Sequence, residues 1–260
     1  MKIVSEQEKA NTLQQLIEMS HWLGEESRGF AILGEGNTSA KISDETFFVK
    51  ASGAQLGTIT EAGIVEVSFA PVIDMLNCDA LTDVEVKKRL AAATINNPSN
   101  LAPSIETLFH AYLLSLPGVN FVGHTHPITV NSITCSTGWR DMTGGRLFPD
   151  EIVCCGIEPA YIDYTDPGVT LGKAIKESVE NYIKDHNERP KSILMQNHGL
   201  IAIGGTSSEI KSITAMWDKT ARVLAGTFQF GGPNYMSKEN VERIYTRPDE
   251  LDRKKMIEGK

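Results

Sequence analysis

At 260 residues with a formal net charge of -8, the chain has room for one large or two small domains, and its acidic balance argues against a nucleic-acid surface, which needs clustered Lys and Arg. Hydrophobic residues make up 41% and charged residues 22%, a globular composition without a disordered, fibrous or membrane signature. No run approaches about 18 apolar residues, the start MKIVSEQEKANTL has no apolar signal segment, and Cys78, Cys135, Cys154 and Cys155 show no C-x-x-C spacing, so a cytoplasmic protein with free thiols and no membrane partner is expected.

Residues 6–28 carry Leu13, Leu16, Ile17, Met19, Trp22 and Leu23 at a helical period, which predicts an amphipathic helix ending near Gly29. FAILGEGNTSAKIS and ETFFVKASG are β-rich runs separated by the turn Ser43-Asp44-Glu45, as in a hairpin. AGIVEVSFAPVIDML reads as one or two further strands, and DVEVKKRLAAATI as a short helix that runs out at Asn96-Asn97-Pro98. SIETLFHAYLLSL is helical, with Leu108, Phe109, Tyr112, Leu113 and Leu116 on its buried face, and Pro117-Gly118 stops it.

VNFVGHTHP follows as a short strand running into two histidines, and EIVCCG reads as another strand. A helix over GVTLGKAIKESVENYIKDH, a buried strand SILMQ, a turn and strand in NHGLIAIGG and a long helix SSEIKSITAMWDKTARVLAGTF complete the regular part. The tail from Gly231 is rich in Pro, Gly and charge and ends in a short polar helix. With no linker and no repeat, one layered α/β domain over 1–260 with a mixed sheet is expected.

Side chains two apart on a strand share a face, so His124 and His126 can converge on one point while Thr125 faces away. Neutral imidazole suits zinc and similar divalent ions, and a catalytic site commonly takes three protein ligands. His198, at a strand end beside Gly199, is the candidate third ligand; two hydrogen-bonded polar residues at a strand exit is the plainer reading of H-x-H alone. His21 and His186 read as structural or solvent-facing, and His110, one turn on from Glu106, as a satisfied core histidine. Glu106 falls in the first turn of its helix, where the dipole alone favours a carboxylate.

Gly34-Glu35-Gly36-Asn37-Thr38-Ser39 and Ala51-Ser52-Gly53 offer backbone N–H groups, an amide and hydroxyls that can hold a phosphate without a basic side chain, or simply form tight turns. Neither fits the Rossmann or P-loop pattern.

In order, GNTSAK (36–41), ASG (51–53), PSIE (103–106), GHTHP (123–127) and QNHGLIAIG (196–204) resemble the class II aldolase/adducin family, over roughly residues 8–228 with 229–260 as a tail. DPGVTLGKAI is similar to the stretch those proteins carry before their last histidine. The resemblance implies an α/β fold, a three-layer αβα sandwich with a mixed, largely antiparallel sheet, assembled as a homotetramer. It also implies that His124, His126 and His198 bind a divalent metal, most often Zn2+, that Glu106 is the catalytic acid/base, and that Asn37, Ser52, Gly53 and Ser104 hold a substrate phosphate. Ile105 replaces a hydroxyl residue that family aldolases often carry before the glutamate, Glu35 adds negative charge to the first loop, and GRLFPDEIVCCG offers no secure counterpart of the tyrosine some of them lend to a neighbouring subunit.

The implied chemistry is reversible C–C cleavage of a sugar phosphate through a metal-stabilised enediolate. Epimerisation, decarboxylation or dehydration of a related sugar acid or sugar phosphate would use the same site. A non-catalytic adducin-like interaction module is a further reading, marked by loss of metal ligands; all three histidines are present. Lys50 could be imagined as a Schiff-base lysine but reads as an exposed strand residue, and no H-E-x-x-H helix supports a zinc hydrolase.

Overall fold

The computed structural model describes residues 4–97 and 100–257, so Pro98, read above as ending a helical run, lies outside them. Ser5 opens the first helix, α1 (Glu6–Leu23), with a capping box: its side chain accepts from the Glu8 N–H while Glu8 reaches back to the Ser5 backbone. The helix stops at Gly24 instead of near Gly29. Gly24 is pressed against the Leu56-Gly57 backbone, where a Cβ would lie 2.1 Å from the Gly57 nitrogen.

Strand β1 (Asn37–Lys41) pairs with β2 (Thr46–Lys50) as the expected antiparallel hairpin, and β3 (Ile64–Ser68) pairs with β2. The rest of the AGIVEVSFAPVIDML run is a helix and not a second strand: α2 (Phe69–Leu76) buries Phe69, Val72, Met75 and Leu76 at helical spacing. Pro71 sits in its first turn, where no helical N–H is needed. Thr82 and Glu85 form the capping box of α3 (Asp83–Ala93), which leads into a short edge strand, β4 (Thr94–Asn96). Helix α4 (Thr107–Ser115) is buried on every side from Thr107 to Leu114, and Glu106 is its N-cap residue instead of a first-turn residue.

After β5 (Phe121–Thr125) come three short helices, α5 (Ile128–Thr134), α6 (Trp139–Thr143) and α7 (Pro149–Cys155). The last overturns the strand expected over EIVCCG. Pro149 at a favoured first helical position opens it, and burial of Glu151, Ile152, Val153, Cys154 and Cys155 outweighs their β preference. The strand of this region is β6 (Ala160–Ile162). Helix α8 (Val169–His186), β7 (Ser192–Met195), β8 (Gly199–Gly204) and α9 (Ser207–Thr227) follow as read from the sequence. The tail holds two helices, α10 (Lys238–Thr246) and α11 (Pro248–Ile257).

The eight strands form one sheet in the order β4-β3-β2-β1-β5-β8-β7-β6, antiparallel throughout except for the parallel β6–β7 pair. Alternate residues feed two cores, as the strand period requires. Phe47, Val49, Val65, Val122 and Ile201 pack with α2, α3, α4 and α8, whereas Phe48, Phe121, Leu200 and Ala202 pack with α1, α5 and α9. The architecture is therefore the expected three-layer αβα sandwich with a mixed, largely antiparallel sheet.

Candidate metal centre

Strand β5 alternates between the two helical layers. Gly123 faces α1 and α9, where a Cβ would lie 2.5 Å from Ile210, while His124 faces the other layer, edge-on to Phe109 of α4. His126 follows just beyond the strand, its N–H held by the Phe30 carbonyl at 2.8 Å. His198 comes from the turn joining β7 to β8. There Asn197 takes a left-handed φ of 54°, which asparagine tolerates, and the His198 N–H closes on the Met195 carbonyl at 3.3 Å. Two glycines permit the approach of these segments. A Cβ on Gly199 would lie 2.5 Å from the Thr125 carbonyl oxygen and 2.7 Å from the His126 ring, and one on Gly36 would lie 2.6 Å from the His124 carbonyl oxygen.

One ring nitrogen each from His124, His126 and His198 lies within 4.8 Å of the other two. Nδ1 of His124 is 3.1 Å from the Leu200 carbonyl, which can only accept, so Nδ1 carries the proton and Nε2 presents its lone pair inward. That Nε2 lies 3.0 Å from Nε2 of His126. Burial pushes His124 down to about 4, against the opposing pull of Glu106. It pushes His126 down to about 3, helped by His124 and His198. Both are thus neutral at neutral pH, the form in which imidazole ligates a cation. Three converging imidazole nitrogens, one already oriented through its ring's second nitrogen, fit a divalent transition metal.

Glu106 stands beside this triad, Oε1 at 3.3 Å from Nε2 of His198 and Oε2 at 3.7 Å from Nε2 of His124. Its burial would raise the carboxyl, but the adjoining imidazoles of His124 and His198 and the amide of Asn37 outweigh it and hold the group well below the usual carboxylate range. Asn37, opposite His124 in the β1–β5 register, donates its side-chain amide to Oε2 of Glu106. The hydroxyl of Ser104 accepts from the Glu106 backbone N–H at 3.3 Å.

Ser52 and Gly53 lie exposed on the loop after β2, with Gly53 at φ 81° and open space where its Cβ would be. The Ser52 N–H bonds to the Ala102 carbonyl at 2.8 Å and Ala51 bridges to Pro103, so this loop borders Ser104. Glu35 turns its carboxylate to the Ile32 N–H at 2.9 Å and lies 3.9 Å from Nδ1 of His126. The eight site residues named from the sequence therefore fall into two adjoining groups, the histidine triad with Glu106 and Asn37, and the loop pair with Ser104.

Lys50 is misread by sequence pattern. Expected as an exposed strand residue, it is 2% exposed, and its ammonium donates to the carbonyls of Ala54 at 2.6 Å and Ala51 at 3.4 Å. Burial lowers its pKa while nearby Glu106 opposes the shift. A lysine at the last position of an otherwise apolar strand was the available signal. His21 and His186 are structural, bonded to the Ile59 carbonyl at 2.7 Å and to Glu158 at 2.7 Å.

Residues 14–225 match the family described as Class II Aldolase and Adducin N-terminal domain. The chain belongs to that family. It is 30% identical over 203 residues to the uncharacterized oxidoreductase YuxG of Bacillus subtilis (strain 168), covering 75% of this chain and 27% of that protein. This chain thus spans about a quarter of the length of that relative. It is 24% identical over 188 residues to the methylthioribulose-1-phosphate dehydratase of the same organism, covering 70% of this chain and 78% of that one. The solved L-fuculose 1-phosphate aldolase from Glaciozyma antarctica PI12 superposes with a TM-score of 0.64 at 13% identity, covering all of this chain and 95% of the other, a likeness of fold. Among the described residues no helix is long and apolar enough to cross a membrane.

Proposed function

We propose that the chain is a divalent-metal-dependent lyase of the class II aldolase type that cleaves a ketose phosphate reversibly at a C–C bond. The observation that carries this reading is the Glu106 carboxylate at 3.3 Å from His198 and 3.7 Å from His124, flanking three convergent imidazoles. His124, His126 and His198 would hold the cation, and zinc best suits an all-imidazole set. When bound, the cation supplies the positive charge that stabilises the enediolate left by bond cleavage.

In this reading Glu106 accepts and returns the proton at the reacting carbon, the amide of Asn37 fixing where its Oε2 stands and the Ser104 hydroxyl, which accepts from the Glu106 backbone N–H, holding the start of α4. Ser52, Gly53 and Ser104 line the phosphate end, and the second amide hydrogen of Asn37 is left for the substrate. The buried ammonium of Lys50, inside the loop that carries Ser52 and Gly53, adds the positive charge an anionic group needs in an otherwise acidic protein. We expect a cytoplasmic homotetramer.

A second outcome at the same site, dehydration of a ketose phosphate, is favoured by the similarity to methylthioribulose-1-phosphate dehydratase, which extends over 78% of that protein. The deciding experiment is metal analysis of the purified protein, followed by incubation of the zinc-loaded form with a panel of ketose phosphates. Aldehyde release is expected. Loss of water from the substrate without aldehyde would select the dehydratase, and a protein that binds no divalent metal would overturn both.

A further inference from the structure

The layer facing α4 holds a run of hydrogen bonds that the metal site does not account for. Ser39 and Asn37 lie two apart on β1 and share a face, while Glu106 and His110 lie one turn apart at the start of α4, so the two periods bring the four side chains together. The Ser39 hydroxyl is 2.6 Å from Nδ1 of His110, Nε2 of His110 bonds to Oδ1 of Asn37, and the Asn37 amide bonds to Glu106. Ser39 and His110 are 0% exposed and Asn37 is 4% exposed. No water is needed to complete the run.

The chemistry allows one direction only. The ionised carboxylate of Glu106 accepts and cannot donate, so Asn37 must turn its NH2 toward Glu106 and its carbonyl oxygen toward His110. An amide oxygen cannot donate, so Nε2 of His110 carries the proton and Nδ1 accepts from the Ser39 hydroxyl. Burial, which pushes His110 down to about 3 with Glu106 opposing it, keeps the ring neutral and leaves it a single N–H to place.

We infer that Ser39 and His110 are positioning residues that lock the amide of Asn37 in the orientation that donates to Glu106. Without the His110 donor the amide has no partner to hold its oxygen, and the flipped form would set that oxygen against the carboxylate. The inference rests on the reading of Glu106 as the acid/base.

Two substitutions of equal polarity separate positioning from mere core satisfaction, because Gln places its amide nitrogen near Nε2 of histidine and Asn near Nδ1. His110→Asn is expected to lower kcat by about 10–100-fold, the usual cost of losing an outer-shell partner, with KM within about twofold. His110→Gln is expected to restore most of kcat. In the His110→Asn, Asn37→Ala double variant the first change should cost nothing further. Equal loss in His110→Asn and His110→Gln, or losses that multiply in the double variant, would overturn the inference. Long-range 1H–15N spectra of the metal-free wild-type protein supply a reading independent of turnover and of variant folding. They should show His110 as the neutral Nε2–H tautomer; the Nδ1–H tautomer would overturn the relay. A fully active Glu106→Gln enzyme would instead defeat the assignment of Glu106 while leaving that tautomer in place.

Discussion

Arg146, between α6 and α7, and Glu151 in α7 are each 1% exposed, yet both carboxylate oxygens of Glu151 are used, one by the guanidinium at 3.0 Å and the other by the Leu147 N–H at 2.8 Å. The Arg146 Nε donates in turn to the Gly156 carbonyl at 2.8 Å. At the end of β5 the arrangement is different. Three imidazoles converge on one another with the Glu106 carboxylate beside two of them, and Nε2 of His124 and Nε2 of His126 face each other at 3.0 Å with at most one proton between them. The first cluster is charge-balanced, with both carboxylate oxygens taken and only Nη2 of Arg146 lacking a hydrogen-bond partner. The second gathers three imidazoles at one point, an arrangement that suits a cation. Buried polarity by itself is thus a poor sign of function; the informative feature is polar side chains that converge on one point.

The comparison breaks most readily at His198. His198→Ala removes one of the three nitrogens, so bound metal should fall to a small fraction of the protein and turnover by at least about 10³-fold, the upper end of what a single electrostatic donor commonly supplies. Elemental analysis beside an activity assay checks it. Metal retained at wild-type stoichiometry would show that the imidazoles do not act as a set. Glu106→Gln is the next test. It keeps the triad intact, so metal content should be unchanged while kcat falls by about 10²–10⁴-fold, the range for loss of a general acid or base.

The balanced cluster should respond in the opposite currency. Glu151→Ala leaves Arg146 buried and unpaired, and about 3–5 kcal/mol of stability should be lost, measured by denaturant unfolding, with metal content per folded molecule unaffected. A variant that loses metal at full stability would erase the distinction between the clusters.

Much of this was legible beforehand because the signals were local. Alternation in NFVGHTH puts His124 on the face away from Gly123, and Asn197-His198-Gly199 is a turn by composition. A layered α/β domain with a mixed sheet followed from long amphipathic helices such as α8 and α9 set among short apolar strands, while the three-layer αβα arrangement came from the family resemblance. The failures arose where tertiary burial outvoted local preference. FAPVIDML reads as strand by its β-branched and aromatic residues but buries Phe69, Val72, Met75 and Leu76 at a helical period. EIVCCG was misread for the same reason. The burial of Lys50 depends on carbonyls of the following loop, and the task of His110 on residues 71 and 73 positions earlier in the chain, contacts that no window of sequence displays.

The smallest effect is the one acid should expose. His110 titrates near 3 in the fold because burial disfavours its charged form, against about 6.5 for a free imidazole. Between those values the unfolded chain holds a proton that the folded chain lacks, so stability rises with pH. The contribution is complete above about pH 6.5 and drains away as pH falls toward 3. His124 and His126, lowered by burial to about 4 and about 3, act in the same sense when no metal is bound. Glu151 has the opposite sign, since burial raises its carboxyl despite Arg146, so the balanced cluster does not add to this acid lability. Unfolding midpoints of the metal-free protein from pH 7 to pH 4 should therefore fall, and fall less steeply in His110→Gln, which removes one titrating ring while leaving His124, His126 and His198 in place. An unchanged slope in that variant would mean that His110 takes up its proton in the fold as readily as in the open chain, and the buried relay would then be no drier than the surface.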